Sequence, residues 1–399
     1  MLGTFVGIIA AIIFAVASQG TQVSHDFQPV YWILTIVGSL FLYMAFSAKA
    51  AVWINLQRTE EDSFPYVQEL FLGDRALSFS MFSLFVFALF SYCIALAFSV
   101  GIDGGIVHGL LVLWIALSGV AFDVMRFDIR RMMRYSYYEF LLNKVTKQCL
   151  QFVEKGREKD AFDWLDGLIE TACKSTRKGS AHVASYALEQ ILVLVEGYVG
   201  AASKSLRAYP ALSSQTSLLD RVNYLSVYVC KRFEWIFRCA LAAKMDTVAE
   251  EVIGVFGKMS LYLIKYHPTL AHVPLLFIEK CAKMALESNF EDVVVRANAT
   301  LSELTKNYVA MATEKKESLK AITLTALSHL EEIVKATFQK NRETSPALLM
   351  QPFAEIGQMM GDAQFQEFPD RDAILQELRR ILNQFSALDL IKQKIELPK

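Results

Sequence analysis

"GIVHGLLVLWIALSGVAFDVMRFDIRRMMRYSYY", residues 105–138, decides how the rest of the chain is read. Residues 105–122 contain no Asp, Glu, Lys or Arg. As a helix they span about 27 Å, close to the ~30 Å hydrocarbon core of a bilayer. Arg126, Arg130, Arg131 and Arg134 then follow within three turns. An apolar span ending in a cluster of arginines is the pattern of a membrane helix leaving the bilayer on its cytoplasmic side.

Upstream lie three further apolar runs, residues 2–18, 30–48 and 77–100. They measure roughly 25, 28 and 36 Å as helices. The first 125 residues hold only three basic residues (Lys49, Arg58 and Arg75) and eight acidic ones, leaving 37 of the chain's 40 basic and 33 of its 41 acidic residues to the remainder. The whole chain is 54% hydrophobic and 20% charged, against about a quarter charged in an ordinary soluble domain. The deficit therefore belongs to the first third. The expectation is an all-α chain of three parts. Residues 1–125 form a four-helix transmembrane domain, 126–157 a basic juxtamembrane stalk helix, and 158–399 a helical, repeat-like domain of antiparallel helix pairs.

The loops set the orientation. Residues 19–29 and 101–104 contain no Lys or Arg, whereas the 49–76 loop and everything after residue 125 do. The positive-inside rule places the latter segments, the amino terminus and the carboxy-terminal domain in the cytoplasm of a multi-pass protein of the inner (cell) membrane. On that topology the sequon Asn298-Ala299-Thr300 never meets a glycosylating compartment. The six cysteines show no CxxC or metal-ligand spacing and read as small buried hydrophobes in a reducing compartment.

The first run, "LGTFVGIIAAIIFAVAS" (2–18), ends in the small-x-small pattern of Ala15 and Ala17 that a signal peptidase cuts. It lacks the basic n-region of a signal peptide. Gly3, Gly7, Ala11 and Ala15 instead recur every four residues, giving a helix one face of small residues against which a second helix can approach closely. The expectation is a retained helix with those four residues at a packing seam, within the protomer or across a homo-oligomer boundary.

No ionisable residue lies near the middle of any run, which argues against a proton or sodium pump. Ser78, Ser80, Ser83 and Ser91 on the third run are expected to bond backbone carbonyls one turn back. "FPYVQELFL" (64–72) reads either as an interfacial segment or as a loop packed on the cytoplasmic domain. Arg126, Arg130 and Arg134, spaced by four with Arg131 beside them, form a stripe suited to topology and to anionic lipid headgroups.

Beyond residue 126 the pattern is helical throughout, with segments near 158–173, 181–200, 217–243, 246–266, 273–288, 291–312, 316–340, 346–360 and 370–396. One internal similarity appears: the stretch from Ala240 matches that from Ala285 at an offset of 45 residues, a helix-pair period. No P-loop, GxGxxG, HExxH or GxSxG is present. His267 and His272 flank a turn without further metal ligands, and Lys174, Arg177, Lys178 and Gly179 fit a solvated turn better than an anion nest. Trp164 and Trp235 read as core, and mixed charge argues against nucleic acid. No catalytic, cofactor or metal site is expected. The expected function is a membrane protein presenting a non-catalytic helical scaffold to a cytoplasmic protein partner. The alternative is a homo-oligomeric channel with a helical assembly or gating domain.

Overall fold

The structure, a computed structural model, describes residues 2–18, 28–62, 67–100, 104–135, 137–208, 218–266, 268–315, 318–340, 346–361, 365 and 370–395. Every regular element among them is helical. The chain divides into two compact units, Met1–Lys144 and Val145–Lys399. The division falls inside a helix rather than at residue 125.

The first unit holds α1 (Leu2–Ser18), α2 (Gln28–Asp62), α3 (Val67–Leu72), α4 (Arg75–Val100), α5 (Gly104–Arg134) and the start of α6 (Tyr138–Glu154). Segments Pro29–Ala51, Arg75–Ala97 and His108–Arg134 are long and apolar enough to cross a bilayer, and Leu2–Ala17 is a shorter apolar helix. The loop segments 19–27 and 101–103 lie outside the described residues.

The core of this unit is built where α2, α4 and α5 meet, around Leu34, Leu84, Phe87, Ile94 and Trp114. Phe87 takes the edge of Phe41 at 5.3 Å and stacks on Trp114 at 6.2 Å. The Trp114 indole N–H donates to Ser91 Oγ (2.7 Å), and Ser91 donates to the Phe87 carbonyl (2.9 Å). Ser80 and Ser83 likewise bond the carbonyls of Ala76 and Phe79. These hydroxyls and the indole N–H are thus satisfied locally, as burial without water demands. The outer surface is the reverse of a soluble protein's: Phe5, Ile12, Val16, Trp32, Tyr43, Phe79, Phe82 and Leu96 are all 58–72% exposed.

The expected stalk helix over 126–157 is two helices. α5 ends at Arg134, the Tyr135 and Tyr137 amides bond the Met132 and Arg134 carbonyls in a tightened last turn, and α6 restarts at Tyr138. The break drives Tyr135 into the interior, where it is fully buried. Segment 67–72 is a short helix that buries Leu70 and Phe71, with Phe71 edge-on to Tyr135 at 5.3 Å. It therefore packs within the first unit.

The second unit contains the rest of α6, then α7 (Glu158–Arg177), α8 (Ala181–Ala208), α9 (Leu218–Ala242), α10 (Asp246–Ile264), α11 (His272–Glu287), α12 (Glu291–Lys315), α13 (Lys320–Lys340), α14 (Pro346–Gly361) and α15 (Arg371–Ile395). These bounds agree with the helical periodicity to within about a turn, apart from α8, which continues to Ala208. α8 contains a fourth segment apolar enough to span, Ala181–Gly200. Its Ala184, Leu188, Ile191, Val195 and Val199 are buried where it packs on α7 and α10. Ion pairs tie neighbouring helices at the rim: Lys280–Glu234 and Lys306–Glu355 at 2.7 Å, and Arg380–Glu331 at 2.5 Å.

One link recurs four times. Gly156, Gly179, Lys244 and Asn289 adopt φ of 73°, 77°, 55° and 63°. In each case the next amide (Arg157, Ser180, Met245, Phe290) bonds a carbonyl five residues back (Phe152, Ser175, Ala240, Ala285) at 2.8–2.9 Å. That is the Schellman ending of a helix. The same residue's carbonyl then accepts the first bond of the following helix, from Ala161, Ala184, Ala249 and Val294. A single left-handed residue thus closes one helix and starts the next, and Lys244 and Asn289 occupy equivalent places at the offset of 45 residues noted above. Lysine in that conformation costs about 1–2 kcal/mol relative to glycine. Lys244→Gly should therefore stabilise the second unit by roughly 0.5–1 kcal/mol, after the greater chain entropy of glycine is subtracted. Chemical denaturation of the two proteins checks this, and a Lys244→Gly midpoint at or below wild type would contradict it.

Candidate functional site

The residues expected at the packing seam lie along α1 where it runs beside α5. Gly7 and Ala11 are buried, and Gly3 and Ala15 are half-buried, while most residues around them are exposed. The approach is closest at Gly119. A Cβ built on Gly119 would stand 2.1 Å from the Gly3 carbonyl oxygen and 2.9 Å from Gly7 Cα, and one built on Gly7 would stand 2.8 Å from Gly119 Cα. Backbone meets backbone here, which only hydrogen side chains permit. Gly119 is the partner that the sequence reading did not single out.

Asp123, one turn further along α5, closes the amino-terminal end of α1. Its carboxylate accepts the Gly3 amide (3.1 Å), the Thr4 amide (2.8 Å) and the Thr4 hydroxyl (2.6 Å). The first amides of a helix have no intrahelical acceptor, and an anion there also meets the positive end of the helix dipole. Asp123→Ala should lower the unfolding temperature of the first unit, because it removes the cap of α1. Thermal unfolding in a single detergent measures it, and an unchanged transition would show that solvent replaces the cap.

A denser polar cluster lies where α4 begins and α5 ends. Asp74 is 5% exposed and sits immediately before α4. Arg131 grips it through Nε (2.9 Å) and Nη2 (2.8 Å), the Tyr135 hydroxyl donates to it at 2.6 Å, and the Lys144 ammonium approaches to 3.1 Å. Oδ1 also accepts the Ala76 amide at 3.2 Å, so Asp74 caps α4 as well. Burial pulls the Asp74 carboxyl upward, but the hydrogen bonds from Arg131, Tyr135 and Lys144 outweigh it and hold the group well below the usual carboxylate range. Burial first, and the hydrogen bond to Asp74 second, push the Tyr135 phenol far up, whereas burial pulls the Lys144 ammonium down against the attraction of Asp74. Lys144 also lies 4.5 Å over the Tyr135 ring. Asp74 is thus an anion held by two cations and a phenol that stays protonated, an arrangement suited to fastening three helix ends together. Beside it, Asp128 is buried with one oxygen bonded by Ser80 and the other without a partner.

The four arginines expected at lipid headgroups separate in the structure. Arg126, Arg130 and Arg134 are exposed on α5, but Arg131 is half-buried and bonded to Asp74. Arg131 thus departs from the expected set because its guanidinium is taken up by a carboxylate within the same unit.

Among the described residues no group of three His, Cys, Asp or Glu side chains converges as metal ligands. His272 Nδ1 faces the Thr269 carbonyl, and His267 lies outside the described residues. Lys174 pairs with Glu170 at 2.9 Å, and the Arg177 guanidinium stands 5.9 Å from the Trp235 ring. Burial pushes the Cys149 thiol up to about 12 and the Cys230 and Cys281 thiols well above their ordinary value, so none of these supplies a thiolate nucleophile.

No protein-family model matches the chain, and no curated protein matches it. A solved structure, a circular tandem repeat protein with novel repeat topology and enhanced subunit contact surfaces, aligns over 91% of this chain and 100% of its own length at 13% identity, with a TM-score of 0.19. A score that low carries no argument about fold or function, so the all-helical architecture rests on the helices themselves.

Proposed function

We propose that this chain is a multi-pass integral membrane protein whose second unit is a non-catalytic, cytoplasmic interaction module. α1, α2, α4 and α5 are its spans. The observation that carries the reading is the opposite surface polarity of the two units. The first exposes Phe, Ile, Leu, Trp and Tyr side chains on its outside and hides the hydrogen-bonded Asp74, Ser80 and Ser91 within. That pattern suits hydrocarbon as solvent, where every polar group must be satisfied internally. The second unit buries most of its apolar side chains and carries ion pairs between its helices, as a helical domain in water does. Short linked helices of this kind mostly act as extended recognition surfaces, which supports a protein partner. Arg126, Arg130 and Arg134, exposed just beyond the apolar stretch of α5, suit contact with anionic headgroups and a cytoplasmic position for the second unit.

The pore reading receives less support. The small-residue face of α1, which suited either assembly or internal packing, is taken up by α5 of the same chain.

Two measurements test the proposal. The full-length chain should stay with the membrane pellet after alkaline carbonate washing. Trypsin should digest the second unit in inside-out vesicles and spare it in right-side-out ones. Release by carbonate would refute membrane insertion, and digestion in right-side-out vesicles would refute the orientation. A catalytic role would require a side-chain constellation that neither unit displays among its described residues.

A further inference from the structure

α1 and α2 cover only part of the α4–α5 pair. α1 lies on α5 at Ala116 and Gly119, and α2 lies on α4 at Ala88 and Ser91. The face between them stays open as a groove of about 440 Å³, lined by Phe79, Phe82, Val86, Leu117, Val120 and Val124 among others. That volume lies within the roughly 300–1,000 Å³ typical of sites for small ligands. The walls are apolar, and the Ser83 hydroxyl among them already bonds the Phe79 carbonyl at 2.9 Å. The groove offers a ligand nothing but hydrocarbon contact along its length.

Its inner end is different. Arg75 precedes Phe79 by one helical turn, and Arg131 follows Val124 by two, so helical spacing puts both on the faces that line the groove. Arg131 stands 5.7 Å from the Phe127 ring, and Arg75 is exposed. Two carboxylates lie nearby, but Asp74 is 5% and Asp128 1% exposed. Arg131 is held by Asp74, so the exposed cation at this end is Arg75, with the acids inside. Arg126 lies two residues from Val124 and Arg130 one residue from Arg131, helical rotations of about 200° and 100°, so both lie off this face.

We infer that the groove seats an acyl chain of an anionic diacyl phospholipid, with its phosphate at the Arg75 end. This rests on the membrane reading above. A second copy of the chain is a poorer occupant: two copies inserted in the same direction and meeting face to face would bring the exposed Arg75 of each together, a like-charge contact. A zwitterionic lipid would fill the same walls but bring a cation to Arg75.

Native mass spectrometry of the full-length protein in detergent, titrated with phosphatidylglycerol or phosphatidylcholine of identical chains, tests the inference. The wild type should retain one phosphatidylglycerol in preference to phosphatidylcholine. Arg75→Gln should weaken that retention about fivefold, as expected for one basic residue near a charged surface. Val120→Trp, which fills the groove, should abolish retention of both lipids. The triple variant Arg126→Gln, Arg130→Gln, Arg134→Gln should lose any phosphatidylglycerol held at those exposed arginines but keep the one in the groove in preference to phosphatidylcholine. Equal retention of the two lipids, or a preference lost only in the triple variant, would overturn the inference while leaving the membrane reading intact. A dimer that Val120→Trp dissolves would overturn it in favour of a second copy. Should Val120→Trp unfold in detergent, Val120→Phe serves in its place. Release of the wild type by carbonate would end both readings.

Discussion

Gly119→Leu should destabilise the first unit by roughly 3 kcal/mol, the upper end of the usual cost of overpacking. The reason is what the new side chain would strike. A Cβ at Gly119 meets the Gly3 carbonyl oxygen, the Gly3 carbonyl carbon and Gly7 Cα within 2.9 Å. All three are backbone atoms, so no rotamer change relieves the collision. α1 has to move away as a body, losing the close contacts from Gly3 to Gly7 and the carboxylate cap from Asp123 together. In a bilayer that loss is not offset by hydrophobic burial, because lipid chains are as apolar as the helix they would replace. Gly7→Leu should behave in the same way, since its Cβ meets Gly119 Cα at 2.8 Å and the Ala116 carbonyl at 3.0 Å. The double variant should cost little more than either single one, because both remove one shared contact. Two changes serve as controls. Gly109→Leu places a leucine on the same helix where nothing lies within 4 Å, and Leu2→Ala trims a side chain that is 67% exposed. Thermal unfolding of all five proteins in one detergent distinguishes them. If Gly119→Leu unfolds like Gly109→Leu, the α1–α5 seam does not hold the unit together.

The parts of this architecture that were legible are those written by repetition. Long runs without charge mark α1, α2, α4 and α5 as apolar helices, and 3.6-residue periodicity marks the helices of the second unit with their bounds. The four-residue spacing of Gly3, Gly7, Ala11 and Ala15 marks one face of α1, but spacing within one helix does not say which helix lies against it. Gly119 is a single glycine without such a pattern. The break at Tyr135 was not legible because "RRMMRYSYYEF" contains no proline or glycine. What ends α5 there is the tertiary demand of Tyr135 for Asp74 and the Leu70 carbonyl. Lys244 and Asn289 illustrate the same limit. Gly156 and Gly179 announce a left-handed residue by their identity, whereas a lysine in that conformation is held by the packing of the helices on either side. Asp74 had a visible cue, an acidic residue just ahead of a helix, which predicts a cap. Its second role required Arg131, Tyr135 and Lys144, which lie 57 to 70 residues away.

That second role makes Asp74 the position where a side-chain deletion should cost most. Asp74→Ala removes the acceptor of two cations, the acceptor of the Tyr135 hydroxyl and the cap of α4. Breaking a buried ion pair from one side typically costs about 3–5 kcal/mol, because the partner charge stays behind without compensation. The Arg131 and Lys144 side chains are 29% and 28% exposed, so water recovers part of their solvation. The expected loss is therefore nearer the lower figure, about 3 kcal/mol. Asp74→Asn keeps one acceptor oxygen, enough for the Ala76 amide, and sets an amide N–H2 where the Tyr135 hydroxyl donates, so the phenol must turn to accept; it removes the charge but keeps the cap, and should cost less than Asp74→Ala. The pH dependence separates charge from shape. The folded Asp74 carboxyl lies below its ordinary value of about 3.9, so its charge stabilises the folded state above that pH, and the contribution is lost as pH falls below it. The gap between wild type and Asp74→Asn should accordingly stay constant from pH 7 to about 5, then narrow below about 4. The gap between Asp74→Asn and Asp74→Ala, which reflects hydrogen bonding and the helix cap, should not change over the same range. If the wild-type advantage over Asp74→Asn persists undiminished at pH 3, the grip on α4, α5 and α6 depends on packing around Tyr135 and not on the charge of Asp74.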